Sequence, residues 1–126
     1  MHEAELDPRP HLVIAGASGP VGRRLVAAAR DEWRVTVLTR EVDGSEPPGS
    51  TPLAWNPTAA RDGDEAHLEG LARVLAGADA LVNLAGASIS SGRFGPEHRR
   101  RVLDSRIDAT TTLVRGARSA RSAART

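Results

Sequence analysis

Residues 11–22, HLVIAGASGPVG, pass from an apolar stretch through three spaced glycines and a proline, and that order is what decides the fold. Residues 11–15 are apolar, partly β-branched and stop at Gly16, which reads as a buried strand. Beyond the glycines, residues 20–30 set Val21, Leu25, Val26 and Ala29 at helical spacing. Pro20 suits a first helical position, because its missing N–H would have no intrahelical acceptor there. A strand, a glycine turn and a helix therefore follow one another without a linker.

Working outward, residues 34–39 (RVTVLT) are a second β-branched strand. Residues 41–50, with two prolines and two glycines, are a loop, and residues 51–55 are a weaker third strand. Residues 64–76 carry Leu68, Leu71, Val74 and Leu75 on one face and end at Gly77, a suitable stop for a helix. Residues 80–85 (ALVNLA) are a fourth strand, and residues 88–95 a polar loop. A long helix is expected from Pro96 to about residue 117, with Leu103, Ile107, Thr110 and Val114 in register, followed by a fraying end. Alternating strands and helices require parallel pairing by right-handed crossovers. The expectation is a single α/β unit over residues 1–126, a Rossmann-like doubly wound sheet represented by its first half in the strand order 3-2-1-4.

Placed between strand and helix, the GxxGxxG pattern has a chemical use. Gly16 permits the tight turn, Gly19 lets the backbone approach a pyrophosphate, and Gly22 allows close packing of the helix. The helix N-terminus presents unpaired N–H groups and a partial positive charge to phosphates, and Ser18 adds a hydroxyl. Pro20 and Val21 belong to the same cradle. At the end of the second strand, Thr39 and Arg40 occupy the position that separates the two nicotinamide cofactors. An arginine there accommodates the 2′-phosphate of NADP, and the preferred cofactor is NADP. Glu41 is adjacent and can take the acid's role toward the ribose of NAD, the alternative. The tetrapeptide Asn83 to Gly86 (NLAG) ends the fourth strand in small residues, where Leu84, Ala85 and Gly86 let a flat cofactor lie close. Asn83 alone can equally serve backbone groups inside the sheet.

Composition narrows the chemistry. All 17 basic residues are arginines, and there is no lysine, tyrosine or cysteine. Disulfides, thiolate nucleophiles and zinc–thiolate sites are thereby excluded. Residues 93–126 carry nine arginines against three acids, and residues 1–92 eight against thirteen. With Phe94 its single aromatic residue and none interleaved among the later arginines for base stacking, that basic tail does not argue for nucleic acid. No apolar run approaches the roughly 20 residues that span a bilayer. Residues 1–10 are acidic and polar, unlike a secretory signal, and a cytoplasmic location is expected.

Gly16 to Gly22, Thr39-Arg40, Trp55-Asn56-Pro57, the run ALVNLAGASI, Arg93-Phe94 and Ser105-Arg106 followed by Thr110 and Leu113-Val114 occur in one order over residues 11–117. Together they resemble the atypical extended short-chain dehydrogenase/reductases, in particular their NAD-dependent epimerase/dehydratase-like, epimerase-family proteins. The glycine turn departs from the usual GGTGFIG at Ala17, Ser18 and Pro20, and Phe94 stands where a tryptophan is typical. The resemblance implies an oxidoreductase or epimerase whose tyrosine is the acid/base and whose lysine lowers the tyrosine pKa. It also implies that such proteins continue through a YxxxK helix and a substrate-binding region, so this chain corresponds to a truncated, N-terminal part. Neither residue type is in this chain, so no catalytic residue is assigned. The alternative function is a non-catalytic module that senses NADP(H) or binds another protein.

His67 and His98 read as surface residues without partners at metal-ligand spacing, and no metal site is expected. Asp104 and Asp108 are spaced i, i+4 near Arg100, Arg101 and Arg106, which favours exposed ion pairing. Ser105-Arg106 either lines the site or braces the helix, and Trp55 and Phe94 either flank a substrate or pack. Strand 80–85 would offer an unpaired apolar edge, through which self-association is expected.

Overall fold

In the computed structural model, which describes residues 7–85 and 95–124, the stretch 11–22 forms strand β1 (His11–Ala15), a turn and helix α1 (Pro20–Ala29). Strands β2 (Arg34–Thr39) and β3 (Ser50–Ala54) follow, then a short helix α2 (Ala59–Asp62), helix α3 (Glu65–Ala76), strand β4 (Ala80–Asn83) and helix α4 (Pro96–Ala124). All pairings are parallel and the strand order is β3-β2-β1-β4, as the alternation of elements requires. The register sets Val13 between Thr36 and Leu81. Pro52 sits in β3, an edge strand, where one lost ladder donor is tolerated.

Period-two alternation sends the strand side chains to two faces. Leu12, Ile14, Val35 and Val37 pack with Val26 of α1. Val13, Ala15 and Leu38 face the other way, toward Leu71 and Leu75 of α3 and Ala109, Leu113 and Ala120 of α4. The sheet is thus covered on both sides, which is why β1 is almost wholly buried. Helices α3 and α4 approach closely at Gly116, where an added Cβ would lie 2.9 Å from Leu71 Cδ2 and 3.3 Å from Leu75 Cδ1.

Several expectations change. Leu103, Ile107 and Val114 do not form the inner face of α4: they are 58%, 52% and 41% exposed, and Thr110 is exposed too. The inward stripe is Ala109, Thr112, Leu113, Gly116 and Ala120, because small residues let α4 settle onto α3. Of residues 119–126, expected to fray, those up to Ala124 continue the helix, with Ala120 buried against the core, and the last two lie outside the described residues. Val21, though in register with the buried residues of α1, is 66% exposed at the helix start. Strand β4 ends at Asn83 rather than at residue 85. The short helix α2 was not foreseen. Its start is anchored by the buried Ala59, and it stops at Gly63, whose φ of 70° is left-handed.

Candidate functional site

The carboxyl ends of parallel strands leave unpaired turns on one side of a sheet, and here those turns surround a cleft of about 700 Å³. Its first wall is the glycine turn. Gly16 has φ 79°, and a Cβ there would lie 2.6 Å from Ala85 N and 2.7 Å from Leu84 C. The turn after β1 and the end of β4 therefore touch backbone to backbone. Leu84 N–H donates to Ala15 O at 2.8 Å, and Asn83 Oδ1 accepts from Ala85 N–H at 3.0 Å, which holds that contact. Asn83 Nδ2 donates to Thr110 Oγ1 at 3.0 Å, so Asn83 serves the frame of the site.

A Cβ at Gly22 would collide with Ala17, whose carbonyl oxygen would lie 2.7 Å away; the close packing is against the turn itself. Gly19 is the N-cap of α1, extended at φ −82° and ψ 176°, and a Cβ on it would meet only open space. Among the described residues no side chain caps this helix, and its first turn holds no acid, so neither a cap nor an acid of that turn offsets its positive end.

The second wall follows β2. Thr39 Oγ1 donates to Glu41 O at 3.0 Å, and Thr39 O accepts Trp55 N–H at 2.9 Å. Arg40 is exposed on the cleft rim, and its guanidinium pairs with no described residue. Beyond it the chain 43–46 folds on itself. Asp43 Oδ1 accepts from Ser45 Oγ at 2.6 Å and from Ser45 N–H at 2.9 Å, while the Glu46 carboxylate accepts from the Asp43 and Gly44 N–H groups, both at 3.2 Å. The Ser45 hydroxyl and amide, with Glu46, hold the Asp43 carboxyl down to about 2. This loop is tied to α1 by Arg23, whose Nε donates to Ser18 O at 3.1 Å and whose Nη2 donates to Ser45 O at 2.8 Å.

Trp55 and Pro57 line the cleft after β3, and Ser105 and Ala109 line it from α4. Trp55 is 6% exposed and belongs to the core, so it packs and borders the cleft at once. The chain after it is held from two sides. Thr112, fully buried on α4, donates to Pro57 O at 2.7 Å and accepts from Ala60 N–H at 3.2 Å. His67 Nε2 accepts Asn56 N–H at 2.9 Å.

Of the residues singled out in the sequence, Gly16, Ser18, Thr39, Arg40 and Ala85 meet around the cleft. Gly19, Pro20, Val21 and Gly22 form the first turn of α1 beside it, and Leu84 contributes backbone behind Gly16. Gly86, Arg93 and Phe94 lie outside the described residues. Ser105 lines the cleft, which favours the first of its two readings; Arg106 is exposed. His67 is a backbone brace with a partner, and His98 is buried at 5% exposure, so neither is a surface residue. Asp108 pairs with Arg61 of α2 at 2.9 Å rather than with an arginine of its own helix. Arg23 and Thr112 were not visible in advance: each acts on carbonyls distant in sequence, which no local pattern signals.

The family model for NAD-dependent epimerases and dehydratases matches residues 12–125. An epimerase family protein of Mycobacterium bovis is 33% identical over 104 residues, covering 81% of this chain and 30% of that protein, so the chain spans about a third of this relative's length. Among solved structures, a short-chain dehydrogenase from Leptospira borgpetersenii with bound NAD+ has a TM-score of 0.62 at 21% identity, covering 93% of this chain and 48% of that one. The human epimerase family protein SDR39U1 with NADPH has a TM-score of 0.53 at 23% identity, covering 82% and 30%. At these identities the two structures speak to the fold.

Proposed function

The chain belongs to the NAD-dependent epimerase/dehydratase family, and from that premise we propose that its cleft binds a nicotinamide dinucleotide, NADP(H) in preference to NAD(H). It does so as the nucleotide-binding part of an epimerase- or oxidoreductase-type protein. The observation that carries this reading is the uncapped, acid-free start of α1 beside a turn too close to β4 for any side chain at Gly16. Free N–H groups and a helix dipole stabilise a pyrophosphate there, and the turn leaves room for it to approach. Gly16, Ser18, Gly19, Pro20, Val21 and Gly22 are assigned to the phosphates. Leu84, Ala85 and Gly86 are assigned to the flat part of the cofactor. The preference for NADP rests on Arg40, a cation on the rim with no partner among the described residues, although Glu41 beside it keeps NAD as the alternative. Relatives in fold carry NAD+ in one case and NADPH in the other, which supports the ligand class.

Trp55 borders the cleft and Trp33 packs in the α1-side core, so a Trp33→Phe variant isolates a reporter at the site. Titration of that variant with NADPH and NADH is expected to give saturable changes in emission, with NADPH the tighter ligand. No binding of either at millimolar concentration overturns the reading.

A second reading is a sensing or interaction module without catalysis: these 126 residues hold neither tyrosine nor lysine. An in-frame YxxxK beyond codon 126 would decide for the enzyme, and its absence for the module.

A further inference from the structure

We propose that Arg23 is the positioning residue that sets the adenosine end of the cleft, a role that rests on the dinucleotide reading above. Its guanidinium joins two neutral acceptors on opposite walls, Ser18 O in the glycine turn and Ser45 O in the 43–46 loop. These carbonyls lie 5 and 22 residues away in the chain, and both their residues line the cleft. Arg23 itself does not line it. The side chain is therefore a strap across the rim: it fixes how far the loop after β2 stands from the turn that receives phosphate.

Three features make the strap more than a surface contact. An arginine in the first turn of a helix opposes the helix dipole, and α1 has no acid there to offset it, so the residue runs against local preference. Its acceptors are carbonyls, and no carboxylate among the described residues pairs with it, so its charge stays uncompensated beside the rim that Arg40 also occupies. The loop it holds carries two acids that line the cleft, Asp43 and Glu46, and both are engaged by loop N–H and hydroxyl groups. A strap that fixes this loop keeps the two acids in these bonds and so limits their reach toward a 2′-phosphate placed at Arg40. Arg23 thus governs selection of a 2′-phosphorylated adenosine through the loop, where Arg40 is assigned to act by contact. The fork matters as well as the charge, because Nε and Nη2 must serve two carbonyls in fixed relative orientation.

The test measures binding of adenosine 2′,5′-bisphosphate and of nicotinamide mononucleotide to the full chain and to Arg23→Ala and Arg23→Lys, with amide exchange of Ser45 and Gly44 followed in the absence of ligand. Both variants are expected to bind the bisphosphate about tenfold more weakly, a change corresponding to about 1.4 kcal/mol. Binding of the mononucleotide should be unchanged, and Ser45 and Gly44 should exchange faster. Unchanged bisphosphate affinity in Arg23→Ala, or full affinity in Arg23→Lys, overturns the strap. If the unmodified chain binds no adenine nucleotide, the dinucleotide reading fails, while the exchange data still report whether Arg23 holds the loop.

Discussion

Arg40 and Thr112 contrast an exposed side chain on the cleft rim with a buried one that holds the frame. Arg40 has no described partner, so removing it should cost the protein little and the cofactor much. Arg40→Ala is expected to weaken NADPH about tenfold or more, as loss of a charge-assisted phosphate contact does, and to leave NADH within about twofold. Calorimetric titration of both cofactors checks this. Equal losses for the two would assign Arg40 to general attraction. Thr112 is the opposite case: it is fully buried, and its hydroxyl serves both Pro57 O and Ala60 N–H. Thr112→Val keeps the shape and leaves two part-buried backbone groups without this partner, so stability should fall by about 1 kcal/mol in urea unfolding. Gly16, with its positive φ and its contact with Ala85, admits no other residue without moving the chain that follows β4.

At the scale of elements, the loop after β2 is held by bonds that protonation removes. The Asp43 carboxyl is held at about 2 in the folded chain by Ser45, below its ordinary value of 3.8. A depressed folded value means that the contribution is present above the unfolded value and is lost as pH falls through the folded one. The loop is therefore expected to keep its geometry at pH 4 and to open as pH approaches about 2. The Ser45 amide resonance, followed by NMR on acidification, should move with that midpoint, and Asp43→Asn should abolish the transition. A midpoint near the ordinary carboxyl value would mean that the Ser45 bonds are not kept in solution. Helix α4 teaches a different lesson. Leu103, Ile107, Thr110 and Val114 form a true helical stripe, yet it faces outward. Periodicity shows that a stripe exists and cannot say which of two stripes meets the sheet. The answer depends on Gly116 and Ala120 fitting against α3, a property of the pair of helices.

Across the whole molecule, the sheet is covered on both faces, yet β4 pairs only with β1 among the described residues. Leu81 on that edge is 36% exposed, and Leu103, Ile107 and Val114 add apolar surface from α4. An open edge with apolar side chains favours association. The chain is expected to self-associate with rising concentration in sedimentation velocity, and Leu81→Lys should shift it toward monomer. A wild-type chain that stays monomeric at high concentration would count against the edge as the contact.

The strand order, the position of the glycine turn and the family were legible in the sequence, because they depend on local order: β-branched runs, a proline at a helix start and glycines between them. The rim residues Arg40 and Thr39 were legible too, since the end of β2 fixes where they fall. What only the tertiary structure decided are contacts between groups far apart in the chain. Arg23 reaches a carbonyl 22 residues away, Thr112 holds Pro57 across 55, and Gly16 meets Ala85 because β1 and β4 are neighbours in the sheet. Such contacts carry no local signature, since a donor's partner is chosen by how the layers pack and not by what lies next to it in sequence.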